Sequence, residues 1–316
     1  MGWGLVKVAT YNINNINKRL DNLLAWLAKA EPDVVSLQEL KAEQGAFPVK
    51  ALRSLGYEAV WLGERSWNGV AILARNQVPV LTRTSLPSGS VLNSDGVLAR
   101  RWRHPERSRS SGGAKDLPLR QCVPREIPRP AGKDAGSRDD AGNHEDRQAR
   151  YIEAAVRGVL ITSIYLPNGN PQPGPKFNYK LAWFERLIAH AAELMASGAP
   201  VVLAGDYNVV PTPQDIYPTR SLDNNALIQP ASRQAFARLL AQGWTDAMRK
   251  LHPDGPLWTF WDYKFERWQK DKGMRLDHFL LSPNLSDRLV DGGVDRWARG
   301  QENASDHAPT WIVLDL

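Results

Sequence analysis

The sequence predicts an α/β chain (α+β in its strand order) built on two packed β-sheets flanked by helices. Short apolar strands alternate with amphipathic helices along the chain. The alternation lacks the regular strand–helix–strand spacing of an all-parallel sheet, so several strands are expected to be antiparallel. The two halves also echo one another. VKVATYNIN and VVLAGDYNVV are each an apolar strand ending in Tyr-Asn, and PDVVSLQEL and MRLDHFLLS each set an acid beside a buried strand. Such an echo points to a pseudo-two-fold relation between the sheets.

In order, Leu5 to Tyr11 reads as a strand. Leu20, Leu23, Leu24, Leu27 and Ala28 follow the i, i+3, i+4, i+7, i+8 stripe of a helix, which Pro32 ends. Asp33 to Leu37 begins a buried strand. Tyr151 to Tyr165 reads as one or two strands turning at Arg157-Gly158. Leu181, Phe184, Leu187, Ile188, Ala191 and Met195 mark a second helix, with Gly198 in the C-cap position. Pro200 to Ala204 is a strand. Phe236, Leu239 and Leu240 lie on a third helix stopped by Gly243. Leu276 to Leu281 and Trp311 to Leu316 are late strands.

At 316 residues the chain is long enough for two domains or one large one. No apolar run reaches the roughly 18 residues of a membrane span, and the N-terminal segment lacks the pattern of a secretory signal. The single cysteine, Cys122, excludes an intrachain disulfide and a cysteine zinc site. A reducing cytoplasm is the expected location and a monomer the expected state. The net charge of +6 is not spread evenly. The segment from Ala99 to Arg150 holds 13 basic and 8 acidic residues, five of the six net charges, so bulk charge says little about the ligand of the core. That segment is poor in large apolar residues, and an inserted, largely disordered basic loop is expected at about 99–147, within a single domain spanning 1–316.

No phosphate-cradling GxxxxGK[ST] or GxGxxG motif, no GxSxG elbow and no HExxH spacing occurs. What remains is rich in oxygen donors. Asn12 and Asn14 end the first strand, Glu39 follows the second, Asp206 and Asn208 follow PVVLAG, Asp277 opens a late strand, and Asp306-His307 precedes the last. An acid beside a buried strand is costly unless it is paired, hydrogen-bonded or bound to a cation. One such acid is commonly a structural one. Four, with asparagines and a histidine, point to a site that holds a hard cation such as Mg²⁺ or Mn²⁺.

Ten segments in order, among them KVATYNIN (7–14), PDVVSLQELK (32–41), SIYLPNGNP (163–171), KFNYKLAWFERL (176–187), LAGDYNVVPT (203–212), WTFWDY (258–263), RLDHFLLSP (275–283) and ASDHAP (304–309), resemble the exonuclease III family of AP endonucleases, within the endonuclease/exonuclease/phosphatase superfamily. The resemblance covers the chain except the insertion. It implies a four-layer sandwich of two packed mixed sheets flanked by helices. It implies Mg²⁺-dependent hydrolysis, with Mn²⁺ as a substitute, of duplex DNA 5′ to an abasic site, leaving a 3′-hydroxyl. It also implies 3′-end cleaning and 3′-to-5′ exonuclease action.

Carried over by position, Glu39 resembles the principal metal carboxylate. Asn12 and Asp306 complete or neighbour that shell, and Asp206 and Asn208 are counted with it. Asp206 matches an acid/base carboxylate that either activates the attacking water or protonates the leaving oxygen. Asn208 orients water or phosphate. His307 resembles a phosphate-contacting histidine oriented by Asp277. Tyr165 and Asn168 match phosphate-side donors. Phe260 or Trp261, with Met274 and Leu276, would wall a pocket for the base-less sugar. Arg65, Lys176 and Arg275 are candidates for contacts to DNA phosphates. A relative acting on another phosphate ester, and a non-catalytic DNA-binding protein, are the alternatives at this stage.

Overall fold

A computed structural model describes residues 4–87, 148–219 and 222–316. The 99–147 insertion, with Cys122, lies outside the described residues. The elements are β1 (Leu5–Asn12), α1 (Leu20–Ala30), β2 (Val34–Gln38), α2 (Val49–Arg53), β3 (Tyr57–Leu62), β4 (Val70–Arg75), β5 (Val80–Arg83), β6 (Tyr151–Val156), β7 (Val159–Tyr165), α3 (Pro175–Ala196), β8 (Val201–Asp206), α4 (Pro230–Leu240), β9 (Thr245–Asp246), α5 (Ala247–Leu251), β10 (Asp277–Leu281), α6 (Pro283–Ser286), β11 (Leu289–Val294), α7 (Arg296–Arg299) and β12 (Thr310–Asp315).

The strands form two six-stranded mixed sheets, in the orders β11-β12-β1-β2-β4-β3 and β5-β6-β7-β8-β10-β9. Read in the same direction, the two sheets share one pattern: antiparallel at every pair except a central parallel pair, β1·β2 in one and β7·β8 in the other. By strand order and helix crossover, β1-α1-β2 corresponds to β7-α3-β8, so the echo between VKVATYNIN (β1) and VVLAGDYNVV (β8) does not join equivalent strands. The echo of PDVVSLQEL with MRLDHFLLS does not either: β2 corresponds to β8, and β10 corresponds to β4. Two acids beside buried strands look alike in sequence, whereas only strand order assigns equivalence.

Val6, Val8, Val34 and Ile72 from one sheet meet Ile152, Ile161, Val202 and Phe279 from the other in the central core. The outer face of the first sheet buries Ala9, Tyr11, Val35 and Leu37 under Leu23, Trp26 and Leu27 of α1. The outer face of the second buries Ile164, Val201 and Leu203 under Phe184 and Leu187 of α3 and Phe236 and Leu239 of α4. Helix, sheet, sheet and helix make the four layers. α1 stops where Glu31 turns left-handed (φ 44°), ahead of Pro32. The β6–β7 hairpin turns at Arg157 (φ 50°) and Gly158 (φ 75°), two positive-φ positions that match the right-handed twist of the strands.

The inner faces change character along the strands, and this places the site. With the two-residue period of a strand, β1 offers Val6 and Val8, then Thr10 and Asn12; β2 offers Val34, then Ser36 and Gln38; β8 offers Val202 and Ala204, then Asp206. Hydrogen bonds join the sheets at the polar end. Ser36 Oγ donates to Thr162 O (2.6 Å), Gln38 Nε2 to Ser163 Oγ (3.0 Å) and Ser163 Oγ to Leu37 O (2.8 Å). The sandwich is thus oil-like at one end and wired at the other, and chemistry collects at the wired end.

Gly205 sits where β7 leaves no space for a side chain on β8. A Cβ there would lie 2.1 Å from the Ile164 carbonyl oxygen and 2.7 Å from its nitrogen. Gly205→Ala is expected to pry the two strands apart beside Asp206, costing about 1–3 kcal/mol in chemical denaturation. Wild-type stability in that variant would contradict the packing described.

Candidate active site

The C-terminal ends of β1, β2, β7 and β8 and the N-terminal start of β10 meet at one edge of the sandwich. Register fixes the neighbours: Tyr165 and Asp277 each pair with Asp206 from either side. Immediately after the strands the chain turns through left-handed residues that are not glycine, namely Asn14 (φ 48°), Glu39 (φ 53°), Lys41 (φ 48°) and Asn208 (φ 46°). Such conformations cost on the order of 1–2 kcal/mol each and persist where the surroundings enforce them. Here the same short turns carry the polar side chains at the cleft.

Asn12 is fully buried and works as a clasp. Its Nδ2 donates to Glu39 Oε1 (2.9 Å) and to Asp206 Oδ2 (3.0 Å), and its Oδ1 accepts from the Asn14 N–H (3.1 Å). The reverse amide orientation would aim an oxygen at two carboxylates, so the network fixes this one. Glu39 also pairs with Lys41 Nζ at 2.8 Å. Burial alone would raise the Glu39 pKa, but the Lys41 charge and the Asn12 and Lys41 hydrogen bonds hold it below its ordinary value. Asn14 Nδ2 donates to Asp306 Oδ1 (2.9 Å), and Lys41 Nζ donates to Asn14 Oδ1 (2.6 Å).

Asp206 accepts from the Asn208 N–H (2.9 Å) and Asn208 Nδ2 (3.1 Å) as well as from Asn12. Burial pushes its pKa up to about 7, against the pull of the His307 charge. His307 Nδ1 lies 2.8 Å from Asp277 Oδ2 and its Nε2 lies 3.8 Å from Asp206 Oδ2. Burial would lower the His307 pKa, but the Asp277 charge and hydrogen bond carry it up to about 10. The imidazolium is therefore the stable form, with Nε2–H facing Asp206. Tyr165 is buried beside them. Its hydroxyl pKa lies well above the ordinary value, through burial first and the Glu39 charge second, so it stays a donor. The Arg150 guanidinium sits 4.7 Å over its ring.

Asn208 Nδ2 also donates to Leu166 O (2.9 Å), and its Oδ1 accepts from Asn168 Nδ2 (3.0 Å). Behind this pair is Lys180 of α3, fully buried, whose ammonium donates to the backbone carbonyls of both Asn168 (3.1 Å) and Asn208. Burial brings its pKa down to about 7, against the charge of Asp206. Lys180 was not among the residues the sequence singled out, yet the signal existed. With Phe184, Leu187 and Ala191 it falls at i, i+4, i+7 and i+11, so it is a lysine inside the apolar stripe of α3. Ser305 was also missed: its hydroxyl donates to Asn12 O (2.6 Å) and accepts from the His307 N–H (3.2 Å).

The apolar side of the cleft differs from expectation at one residue. Phe260 is half-buried, its ring 4.9 Å from the His307 ring, and it shares a cluster with Met274 and Leu276. Trp261 has no exposed surface. Its ring stands edge-on to Trp268 and its Nε1 donates to Asp271 Oδ1 (3.1 Å), so it packs behind the cleft and cannot line it. Among the candidate phosphate contacts, Arg65 and Lys176 are exposed. Arg275 is not available: it is 1% exposed and held between Asp215 and Asp246. Its neighbours Leu276 and Asp277 lie at the site, but its own side chain turns into a buried ion network.

The donor chemistry fits a hard divalent cation. The described residues contain no group of three His, Cys, Asp or Glu side chains arranged to hold a metal. Glu39 and Asp306 instead present two carboxylates linked through Asn14 and the Glu39–Lys41 turn. Mg²⁺ commonly takes one or two protein carboxylates, keeps several waters and shares substrate phosphate oxygens, and an all-oxygen pair at the mouth of a cleft suits that habit.

The sequence matches the model of the Endonuclease/Exonuclease/phosphatase family over residues 9–307. Exodeoxyribonuclease III of Haemophilus influenzae is 27% identical over 318 aligned positions, spanning 97% of this chain and 98% of the relative. The exodeoxyribonuclease of Bacillus subtilis is 28% identical, spanning 98% of this chain and 100% of the relative. Among solved structures, the 3′ phosphatase NExo from Neisseria bound to a product DNA hairpin is similar with a TM-score of 0.78 and 31% identity, over 98% of this chain and 100% of that one. An AP endonuclease from Archaeoglobus fulgidus is similar with a TM-score of 0.76 and 27% identity, with the same coverage.

Proposed function

Because this chain belongs to the Endonuclease/Exonuclease/phosphatase family, in its exodeoxyribonuclease III branch, we propose that it is a DNA repair nuclease that hydrolyses the phosphodiester 5′ to an abasic site and cleans blocked 3′ ends. The observation that carries this reading is a buried, proton-accepting acid (Asp206) 3.8 Å from a buried imidazolium (His307), with the Glu39 and Asp306 carboxylates held nearby by Asn12 and Asn14. A phosphate that enters this cleft meets a positive donor on one side and a proton-handling carboxylate on the other.

Glu39 and Asp306 would hold Mg²⁺, or Mn²⁺ in its place, while Asn12 and Asn14 fix the two carboxylates. An ion bound there would supply charge neutralisation at the scissile phosphate and the leaving 3′ oxygen. His307, kept protonated by Asp277, donates Nε2–H to a phosphate oxygen. The Tyr165 hydroxyl and the Asn168 amide are further donors to the same group, and Asn208 orients the attacking water. Asp206 is the proton-handling carboxylate of the step. Phe260, backed by Met274 and Leu276, gives the cleft an apolar side on which a sugar without a base would pack. The partner is duplex DNA, bound by a monomer, with Arg65 and Lys176 available to its backbone phosphates.

Cleavage is expected to stop in EDTA and to return on adding Mg²⁺. Glu39→Gln is expected to raise the Mg²⁺ concentration for half-maximal rate by at least about tenfold, the scale on which weakened metal shells lose affinity. A Mg²⁺ titration of the rate reads this directly, and an unmoved midpoint would take Glu39 out of the cation site.

A further inference from the structure

Beyond the catalytic cleft, the structure assigns a second anion site: a pocket between the start of α1 and the segment after α7, built to hold a phosphate-type oxyanion. The cavity, about 420 Å³, is lined by Lys18, Arg19, Tyr263, Arg299, Gln301 and Asn303. Two of its cations are buried, Arg19 being 7% exposed and Arg299 8%. Both guanidiniums lie against one ring, with their central carbons 6.0 Å and 5.3 Å from the Tyr263 centroid.

Neither guanidinium has a carboxylate partner among the described residues. Arg19 donates to Asn14 O and to the Tyr263 hydroxyl (2.8 Å), and Arg299 donates to Trp261 O (3.1 Å). The Nε atoms of both arginines have no partner at all. The acid on this side, Asp306, is engaged by the Asn14 amide. The Asp306 charge reaches Arg299 without forming an ion pair with it, and Arg19 repels Arg299. Two buried guanidiniums with no paired carboxylate are expensive, whereas the buried Arg275 is given two carboxylates. An oxyanion between Arg19 and Arg299, reached also by the exposed Lys18, removes the repulsion and satisfies the spare N–H groups. Guanidinium forks suit phosphate geometry. The phosphate can come from the backbone of a bound strand or from a free phosphate or mononucleotide.

The test uses the full chain carrying His307→Gln, which weakens phosphate binding in the catalytic cleft, titrated calorimetrically with inorganic phosphate at fixed ionic strength. Saturable binding is expected to remain. Adding Lys18→Gln, an exposed change with no burden on folding, or Arg299→Lys is expected to weaken it about tenfold, the worth of one charge-assisted hydrogen bond. Absence of saturable binding, or binding that Lys18→Gln and Arg299→Lys leave unchanged, overturns the site. Duplex binding across a salt series with Lys18→Gln alone identifies the source. A slope reduced by about one marks a strand phosphate. An unchanged slope, with inorganic phosphate binding still weakened, marks a free phosphate. Because the readout is phosphate binding, it fails separately from the nuclease reading, which cleavage assays test.

Discussion

Replacing Asp206 by asparagine is expected to lower kcat on an abasic-site duplex by about 10²–10⁴-fold, the range for losing a positioned proton-transfer group, with duplex affinity retained. The carboxylate accepts from Asn12, from the Asn208 amide and from the Asn208 backbone, and it lies 3.8 Å from His307 Nε2. Burial keeps its pKa near neutrality, where a group can both take and give a proton. Asparagine preserves the volume and part of the hydrogen bonding but cannot carry the proton. Single-turnover cleavage with a parallel gel-shift measurement separates the two effects. A variant with wild-type kcat would move the proton chemistry to another group.

The largest effect on stability is expected from Asp215→Asn, about 3–5 kcal/mol at neutral pH, because it strips buried cations of their counter-charge. Asp215 Oδ1 pairs with Arg275 Nε at 2.7 Å and with Arg249 Nη2 at 2.5 Å, and Oδ2 accepts from Thr212 Oγ1 at 2.7 Å. Arg275 continues to Asp246 at 2.8 Å. The network ties the 212–215 loop and α5 to the residues leading into Asp277, so it also supports the site. Burial would raise the Asp215 pKa, but hydrogen bonds and charge from Arg275, with the Arg249 and Thr212 hydrogen bonds, hold it well below the ordinary value. A depressed folded-state pKa contributes stability that is complete above the unfolded-chain pKa of about 4 and is lost as pH falls below it toward the folded-state value. The stability gap between wild type and Asp215→Asn is therefore expected to be constant from pH 7 to pH 5 and to narrow below about pH 4. Denaturation curves across that range check it, and a gap that widens on acidification would contradict the ion network.

How much of this was legible in the sequence depends on the kind of information involved. Asn12, Glu39, Asp206, Asp277 and His307 stand out because polar groups beside apolar strands violate the ordinary burial pattern, and the structure brings them to one edge of the sandwich. The β6–β7 turn and the ends of α1 and α3 are written in Pro32, Gly158 and Gly198. Arg275 reads in sequence as one more surface cation. Only the folding of the 212–215 loop and β9 against the entry to β10 reveals Asp215 and Asp246 around it. Trp261 sits in an aromatic run, where sequence does not tell which ring faces the cleft and which faces Trp268. The correspondence of β1 with β7 and of β2 with β8 is invisible because it lies in strand order, not in residue types. Lys180 was legible and went unread: a lysine at a buried helical position needs partners, and it finds them in the carbonyls that carry Asn168 and Asn208.

This cleft is expected to cut DNA beside an abasic site, and product mapping tests that most directly. A labelled duplex with one central abasic analogue and an intact control duplex are incubated with the protein in Mg²⁺, and the products are resolved at single-nucleotide length. The expected result is one cut immediately 5′ to the lesion, ending in a 3′-hydroxyl that a polymerase extends, and no such cut in the control. Intact abasic strands after incubation in Mg²⁺, or identical internal cutting of both duplexes, would contradict it.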